Sequence, residues 1–222
     1  MRYFFFAALA LAAGACSRSH ESHETSEETR PAPPPVANDS RKVLAVFGDS
    51  LAAGYGLADG LSFPDDLQKK LDAEGYSWRV VNLGISGDTT EGGASRIDSA
   101  TSLKPGIVIL ELGGNDGLRG LPLTSTRANL EKMIDAFQNA GARVVLAGMT
   151  LPPNYGQEYI DGFQKIYQDL AREHKLTLIP FLLSDIVTKD MRYFQRDGIH
   201  PTAQGAQIVA GTVFRSIQPL LR

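Results

Sequence analysis

The sequence has one cysteine, Cys16, among its 222 residues, so no disulfide can form within the chain. It has no run of lysine and arginine, and its formal net charge is −3, so nucleic acid is not an expected partner. No cluster of cysteine and histidine has the spacing of a zinc site. Hydrophobic residues make up 43% of the chain, which is enough to build one sizeable core.

The first residues have the pattern of an export signal. Arg2 supplies a positive charge, an uncharged and mostly apolar stretch runs from Tyr3 to Ala15, and small residues precede Cys16. This stretch is shorter than the roughly 20 residues that a membrane-spanning helix needs. The segment resembles the lipobox of bacterial lipoproteins, although Ala13 stands where such motifs usually carry leucine. We predict a signal peptide over residues 1–15, followed by a lipid-bearing Cys16 or, alternatively, by a free cysteine after ordinary cleavage.

Residues 16–41 contain almost no large apolar side chains and cannot bury enough surface to fold. Prolines at positions 31 and 33–35 favour a stiff polyproline II spacer. We therefore predict a disordered tether over residues 16–41 and a folded domain over residues 42–222. The domain is expected to be exported to the periplasm and, if Cys16 carries lipid, to be anchored to a membrane.

From Lys42 onwards, short apolar runs alternate with amphipathic segments, as in a parallel sheet covered by helices on both faces. Strands are predicted at Val43–Phe47, Arg79–Leu83, Ile107–Leu112, Val144–Met149 and Thr177–Phe181. Helices are predicted at Phe63–Glu74, Thr89–Ser99, Thr126–Ala140, Glu158–His174 and Thr202–Gln218. The third helix has one apolar stripe, with Ser125 as its predicted N-cap and Gly141 as its stop.

Ser50 follows the first predicted strand in the sequence Gly48-Asp49-Ser50-Leu51. In sheets of this kind, functional groups collect beyond the carboxyl ends of the strands. A serine at this turn can point its hydroxyl group into the cleft, and its backbone N–H can face a developing oxyanion. The alternative is that Ser50 is an ordinary helix N-cap.

A second group lies near the C-terminus, in Asp197-Gly198-Ile199-His200-Pro201. A serine hydroxyl group becomes a good nucleophile when a neighbouring histidine takes its proton. Asp197 lies three residues before His200 in a turn that contains glycine, so its carboxylate can reach one ring nitrogen while the other nitrogen faces Ser50. The alternative for His200 is a capping or packing role.

Two glycine-rich turns follow the third and second strands. Gly113-Gly114-Asn115-Asp116 offers the side-chain amide of Asn115 as a neutral donor, and Ser86-Gly87-Asp88 offers the backbone N–H of Gly87. With the N–H of Ser50, these donors can converge on one oxygen atom. Each turn on its own is equally compatible with an ordinary loop.

Together, four blocks of the sequence, GDSLAAGYG, ISGDTT, GGNDGLRG and DGIHP, resemble the SGNH (GDSL) hydrolase family. The four residues that give the family its name correspond to Ser50, Gly87, Asn115 and His200. The resemblance covers about residues 42–219. It implies an α/β fold, a flavodoxin-like three-layer sandwich with a five-stranded parallel sheet.

The resemblance also implies a serine esterase of the arylesterase, acyl-CoA thioesterase and lysophospholipase type. Such an enzyme hydrolyses small to medium acyl esters and thioesters through an acyl-enzyme on Ser50. His200 would be the base and Asp197 its orienting group, and no metal or organic cofactor would be required. We expect a monomer whose partner is the small-molecule substrate.

The loops after the third and fourth strands are expected to line an acyl groove. The predicted lining residues are Leu118, Leu121, Leu151, Pro152, Pro153 and Tyr155; the alternative for each is ordinary loop packing. Two other functions stay open. One is a deacetylase of cell-envelope polysaccharide, which would favour a long cleft with exposed aromatic residues. The other is a non-catalytic surface lipoprotein, which would predict a broken triad.

Overall fold

The computed structural model describes residues 39–222. The predicted signal peptide, the lipidation site at Cys16 and most of the predicted tether lie outside these residues. Within residues 39–222, no helix combines the length and the apolar character that are needed to cross a membrane.

One sheet of five parallel strands forms the centre of the described domain, in the order β2-β1-β3-β4-β5. The strands are β1 (Lys42–Gly48), β2 (Trp78–Asn82), β3 (Ile107–Glu111), β4 (Arg143–Ala147) and β5 (Thr177–Ile179). Each overlaps one predicted strand, and the order is that of flavodoxin-like folds, so the predicted fold class is confirmed.

The described helices are α1 (Ser50–Ala53), α2 (Phe63–Ala73), α3 (Thr90–Ser95), α4 (Ile97–Thr101), α5 (Gly114–Leu118), α6 (Leu123–Asn139), α7 (Gln157–Glu173), α8 (Ser184–Val187) and α9 (Ala203–Ile217). Turns of 3₁₀ helix lie at Pro153–Tyr155, Met191–Tyr193 and Gln218–Leu220. The five predicted helices correspond to α2, the pair α3 and α4, α6, α7 and α9. The short helices α1, α5 and α8 were not predicted, because four or five residues carry no helical periodicity.

The helix α6 shows which local signals decide a boundary. Its apolar stripe, Leu130, Met133, Ile134 and Phe137, is fully buried as predicted. The predicted N-cap at Ser125 is wrong: α6 begins at Leu123, because the carbonyl of Pro122 already accepts the N–H of Thr126 at 3.2 Å and closes the first turn. Gly141, at φ +84°, follows the last turn as predicted.

The helices form a layer on each side of the sheet. The helix α2 packs against α9, whereas α6 packs against both α3 and α7. Right-handed crossovers place α2, which leads to β2, on one face and the helices that lead to β3, β4 and β5 on the other. Nearly every residue of β1, β3 and β4 is buried between these layers. The connection reverses direction between β1 and β3, which opens a crevice at the carboxyl ends of these two strands.

Candidate active site

Ser50 is the first residue of α1, immediately beyond the crevice end of β1. Asp49, rather than Ser50, is the N-cap, since its side chain accepts the N–H of Leu51 at 3.0 Å. The alternative of a helix-capping Ser50 is therefore wrong. Gly54, at φ +75°, ends the helix after one turn. This strand, turn and helix leave the hydroxyl group of Ser50 at the floor of the crevice.

His200 lies against Ser50 although 150 residues separate them. The distance from His200 Nε2 to Ser50 Oγ is 2.9 Å, and the distance from His200 Nδ1 to Asp197 Oδ2 is 2.7 Å. The other carboxylate oxygen, Asp197 Oδ1, accepts the backbone N–H groups of Ile199 at 2.9 Å and His200 at 3.0 Å. The predicted serine, histidine and aspartate thus form one continuous chain of hydrogen bonds.

The carboxyl group of Asp197 is held in its ionised form. Its partial burial opposes ionisation, but the N–H groups of His200 and Ile199 and the ring of His200 outweigh this and lower the pKa of Asp197 to about 2. The carboxylate therefore stays charged at neutral and mildly acidic pH. Its bond to Nδ1 selects the tautomer in which Nε2 is free to accept the proton of Ser50.

The turn that carries His200 is attached to the turn after α1 by Gln195 and Tyr55. Gln195 Nε2 donates to the carbonyl groups of Tyr55 at 2.7 Å and Pro201 at 2.9 Å, and Gln195 N donates to the carbonyl of His200 at 2.7 Å. The ring of Tyr55 lies 4.6 Å from that of His200, centroid to centroid. No local pattern marks Gln195 for this role, because it is an isolated glutamine in a loop.

The three predicted oxyanion donors line the same crevice as Ser50 and His200. Within residues 39–222, the backbone N–H groups of Ser50 and Gly87 have no hydrogen-bond acceptor. The side-chain amide of Asn115 donates to the carbonyl of Asp88 at 2.8 Å and to Asp49 Oδ2 at 3.1 Å. The N–H groups of Ser50 and Gly87 are thus free, whereas both N–H groups of the Asn115 amide already have acceptors. A hydrogen bond from Asn115 to an oxyanion must therefore share or replace one of these two bonds.

Two further charged residues, Arg96 and Asp116, fix the loops that carry these donors. Arg96 lies over the ring of Phe47 at 4.0 Å, pairs with Asp88 at 2.7 Å and donates to the carbonyl of Gly48 at 3.0 Å. It therefore attaches the loop of Gly87 to the end of β1. Asp116 is buried, and its carboxylate accepts both the N–H and the hydroxyl group of Thr90, which joins α5 to α3.

The crevice widens into an apolar cleft of about 520 Å³. Of the predicted substrate-binding residues, Leu118, Leu151 and Pro152 line it, whereas Leu121 and Tyr155 do not. The hydroxyl group of Tyr155 instead donates to the carbonyl of Leu118 at 2.8 Å, behind the lining. The carbonyl of Leu121 accepts the hydroxyl group of Tyr159 at 2.8 Å.

The cleft has further apolar lining that the sequence did not single out. These residues come from the segments after β4 and β5 and from the turn of His200, so only the fold brings them together. They are Met149, Phe181, Leu183, Val187, Phe194 and Ile199. Pro153, which the sequence did single out, lines the cleft as well.

One group of side chains in the described domain has metal-ligand spacing, outside the lining of the cleft. Glu131, Glu173 and His174 each offer one ligand atom, and these atoms lie within 4.8 Å of one another. The guanidinium group of Arg127 bonds to Glu173 at 2.5 Å and lies 3.6 Å from Glu131. Because the guanidinium group of Arg127 already pairs with both carboxylates, this group is better described as a surface ion-pair network.

The sequence of the chain matches a family model described as the GDSL-like lipase/acylhydrolase family over residues 46–208. It is 41% identical over 181 residues to the esterase TesA of Pseudomonas aeruginosa, which covers 81% of this chain and 90% of that protein. It is 36% identical over 179 residues to thioesterase 1/protease 1/lysophospholipase L1 of Escherichia coli, which covers 80% of this chain and 84% of that protein.

A solved structure gives the same result for the fold and the activity. The psychrotrophic esterase EstA from a Pseudoalteromonas species, in a structure inhibited by monoethylphosphonate, matches with a TM-score of 0.77 and 31% sequence identity. The match covers 81% of this chain and 98% of that chain. The protein therefore belongs to the GDSL-like lipase/acylhydrolase family and is a carboxylic ester hydrolase.

Proposed function

We propose that the chain hydrolyses small to medium acyl esters and thioesters through a covalent acyl-enzyme on Ser50. The observation that carries this proposal is the hydrogen-bonded chain from Ser50 Oγ to His200 at 2.9 Å and from His200 to Asp197 at 2.7 Å. It lies on the floor of an apolar cleft that also contains the three oxyanion donors. The related proteins named esterase, thioesterase and lysophospholipase support the same reaction class.

In the first step, His200 Nε2 takes the proton of Ser50 as Oγ attacks the acyl carbonyl carbon. The negative charge that develops on the carbonyl oxygen faces the N–H groups of Ser50 and Gly87 and the amide of Asn115. The imidazolium, stabilised by Asp197, then gives its proton to the departing alcohol or thiol. Water repeats the sequence on the acyl-enzyme and releases the carboxylic acid.

The lining of the cleft supports an acyl chain rather than a sugar. Its wall is mainly aliphatic, with Leu118, Leu151 and Pro152 on one side, and its volume of about 520 Å³ suits a small ligand. Leu121 and Tyr155 do not line the cleft, and they would affect substrate binding only through their contacts with residues behind its wall. A polysaccharide deacetylase is less well supported. Tryptophan rings often stack on bound sugars, but Trp78 is buried and donates to the carbonyl of Leu221, so its ring offers no exposed stacking surface. A non-catalytic role is less well supported because the triad is intact.

We also propose that residues 1–15 are a signal peptide, that residues 16–41 are a tether, and that Cys16 carries lipid. The mature protein would then be anchored to a membrane on the periplasmic side. The support is the sequence pattern of Arg2, the apolar stretch and the small residues before Cys16. A single acyl chain binds membranes only marginally, whereas the several chains of a bacterial lipoprotein anchor stably.

Replacing Ser50 by alanine is expected to abolish hydrolysis of a p-nitrophenyl ester and to leave the fold intact. The change removes the nucleophile, and a half-buried hydroxyl group at the cleft contributes little to packing. The measurement is the rate of ester hydrolysis together with a thermal melting curve. The matched control is Ser125→Ala, an exposed serine on α6, which should keep full activity. Full activity in a normally folded Ser50→Ala variant would contradict the nucleophile assignment.

Replacing Asn115 by alanine is expected to lower kcat by about 10²- to 10³-fold, the usual cost of losing one oxyanion donor. The effect should fall on kcat, because the amide binds the transition state more strongly than the bound ester. Steady-state kinetics on the same ester measure it, with the exposed Asn139→Ala as a control. If only KM changed, Asn115 would bind the substrate in its ground state and would not be an oxyanion donor.

Replacing Cys16 by serine is expected to release the protein from the membrane. The change removes the acylated thiol, while the folded domain is untouched. Expression in a bacterial host, followed by separation of the membrane and periplasmic fractions, measures the distribution. If the wild-type and Cys16→Ser proteins were equally soluble in the periplasm, lipid anchoring would be wrong and ordinary secretion would remain.

A further inference from the structure

Glu111, the last residue of β3, has a carboxyl group that is completely buried directly beneath the turn of Ser50. Its Oε2 atom accepts the backbone N–H groups of Asp49 at 3.1 Å and Ala52 at 3.3 Å. Glu111 is level with Gly48 in the register of β3 and β1. A Cβ atom on Gly48 would collide with Oε2, so glycine is required before the turn for this carboxyl group to fit.

A second buried carboxyl group, that of Asp49, connects the Ser50 turn to Asn115. Asp49 is only 2% exposed. Its Oδ1 atom accepts the N–H of Leu51 at 3.0 Å, and its Oδ2 atom accepts the amide of Asn115 at 3.1 Å. Glu111 therefore holds the turn, the turn holds Asp49, and Asp49 orients Asn115.

Two adjacent buried carboxyl groups without a cation cannot both be ionised at low cost. No lysine or arginine of residues 39–222 forms an ion pair with either group. Burial, and next the charge of Asp49, raise the pKa of Glu111 well above its ordinary value. Burial also raises the pKa of Asp49 to about 6, but the N–H of Leu51 and the carboxyl group of Glu111 limit this rise. Of the two carboxyl groups, that of Glu111 is the more deeply buried and the one whose surroundings favour the protonated form more strongly.

Other titratable groups face the pair from the elements around it. On the cleft side lie His200, which favours ionisation of Asp49, and Asp88, which opposes it. Asp88 is itself paired with Arg96 at 2.7 Å. On the other side lies the buried Tyr167, which donates to the carbonyl of Leu112 at 2.9 Å. None of these groups supplies a free cation to Glu111.

We propose that Glu111 is a protonated, neutral positioning residue that holds the Ser50 turn and leaves Asp49 as the ionised group that orients Asn115. This proposal rests on the proposed function only for its kinetic readout. A buried glutamate can act either as a neutral acid or as an ionised carboxylate, and the proposal assigns Glu111 the first role. A neutral acid can be replaced by the isosteric carboxamide of glutamine, whereas an essential carboxylate cannot.

The kinetic test compares Glu111→Gln with Glu111→Leu in the full chain, by thermal melting and by kcat and KM on a p-nitrophenyl ester across pH. Glutamine keeps an oxygen acceptor for the N–H groups of Asp49 and Ala52. It should therefore keep kcat within about threefold and leave the acid limb of kcat/KM in place. Leucine has no such acceptor, so kcat should fall by about tenfold to a hundredfold with little change in KM.

The acid limb of Glu111→Leu should also move to higher pH. The polar side chain of Glu111 lowers the pKa of Asp49, so its replacement by leucine raises that pKa further. Asp49 is then protonated, and Asn115 loses its anionic acceptor, at a higher pH than in the wild type. If Glu111→Leu does not fold, Glu111→Gln decides alone. A tenfold or greater loss of kcat in a folded Glu111→Gln variant would overturn the proposal.

Infrared difference spectroscopy tests the protonation state without any assay of hydrolysis. The difference between the wild type and Glu111→Gln at neutral pH should show a protonated carboxyl C=O band that is present only in the wild type. The exposed Glu74→Gln is the matched control and should show only carboxylate bands. Carboxylate bands in the Glu111 difference spectrum would overturn the proposal, whether or not the enzyme hydrolyses esters by way of Ser50.

Discussion

The site depends on β1 and β3 ending at the same level of the sheet. Gly48 and Glu111 are partners in the register of these two strands, so the turns that carry Ser50 and Asn115 start side by side. The reversal of the chain connection between β1 and β3 keeps helices from covering this position. Arg96, at the start of α4, attaches the Gly87 loop to this site, because it pairs with Asp88 in that loop and donates to the carbonyl of Gly48. The register of β1 and β3 therefore brings the turns of Ser50 and Asn115 together, and the contacts of Arg96 bring the loop of Gly87 to them.

Their surroundings shift the pKa values of three carboxyl groups near Ser50 in different directions. Asp197 accepts two backbone N–H groups and a ring N–H and stays ionised, which suits a group that orients and stabilises His200. Asp49 and Glu111 are buried together, and their pKa values are raised. Such a separation of pKa values is how one fold assigns charged and neutral roles to chemically similar residues.

Much of this arrangement could be predicted from the sequence, because its signals are local. Apolar runs predicted all five strands. The turn residues after three of these strands marked Ser50, Gly87 and Asn115, and the glycine-containing turn before the last helix marked Asp197 and His200. What failed depended on contacts between distant segments. The N-cap of α6 moved because Pro122 closes the first turn, and Tyr155 packs behind Leu118 instead of facing the cleft. Glu111 had one visible signal, a lone charge at the end of an apolar strand, but its meaning appears only when β1 lies beside it.

The proposed mechanism requires Ser50 to become covalently acylated, and labelling with a fluorophosphonate can detect a covalent adduct on this serine. A fluorophosphonate forms a stable adduct with an activated serine and resembles the tetrahedral species, and monoethylphosphonate inhibits the related esterase EstA. Intact-mass analysis, followed by peptide mapping, should show one adduct, on Ser50, that forms in step with the loss of esterase activity. An active enzyme that forms no adduct, or an adduct on another residue that accounts for the inactivation, would contradict the proposed acyl-enzyme on Ser50.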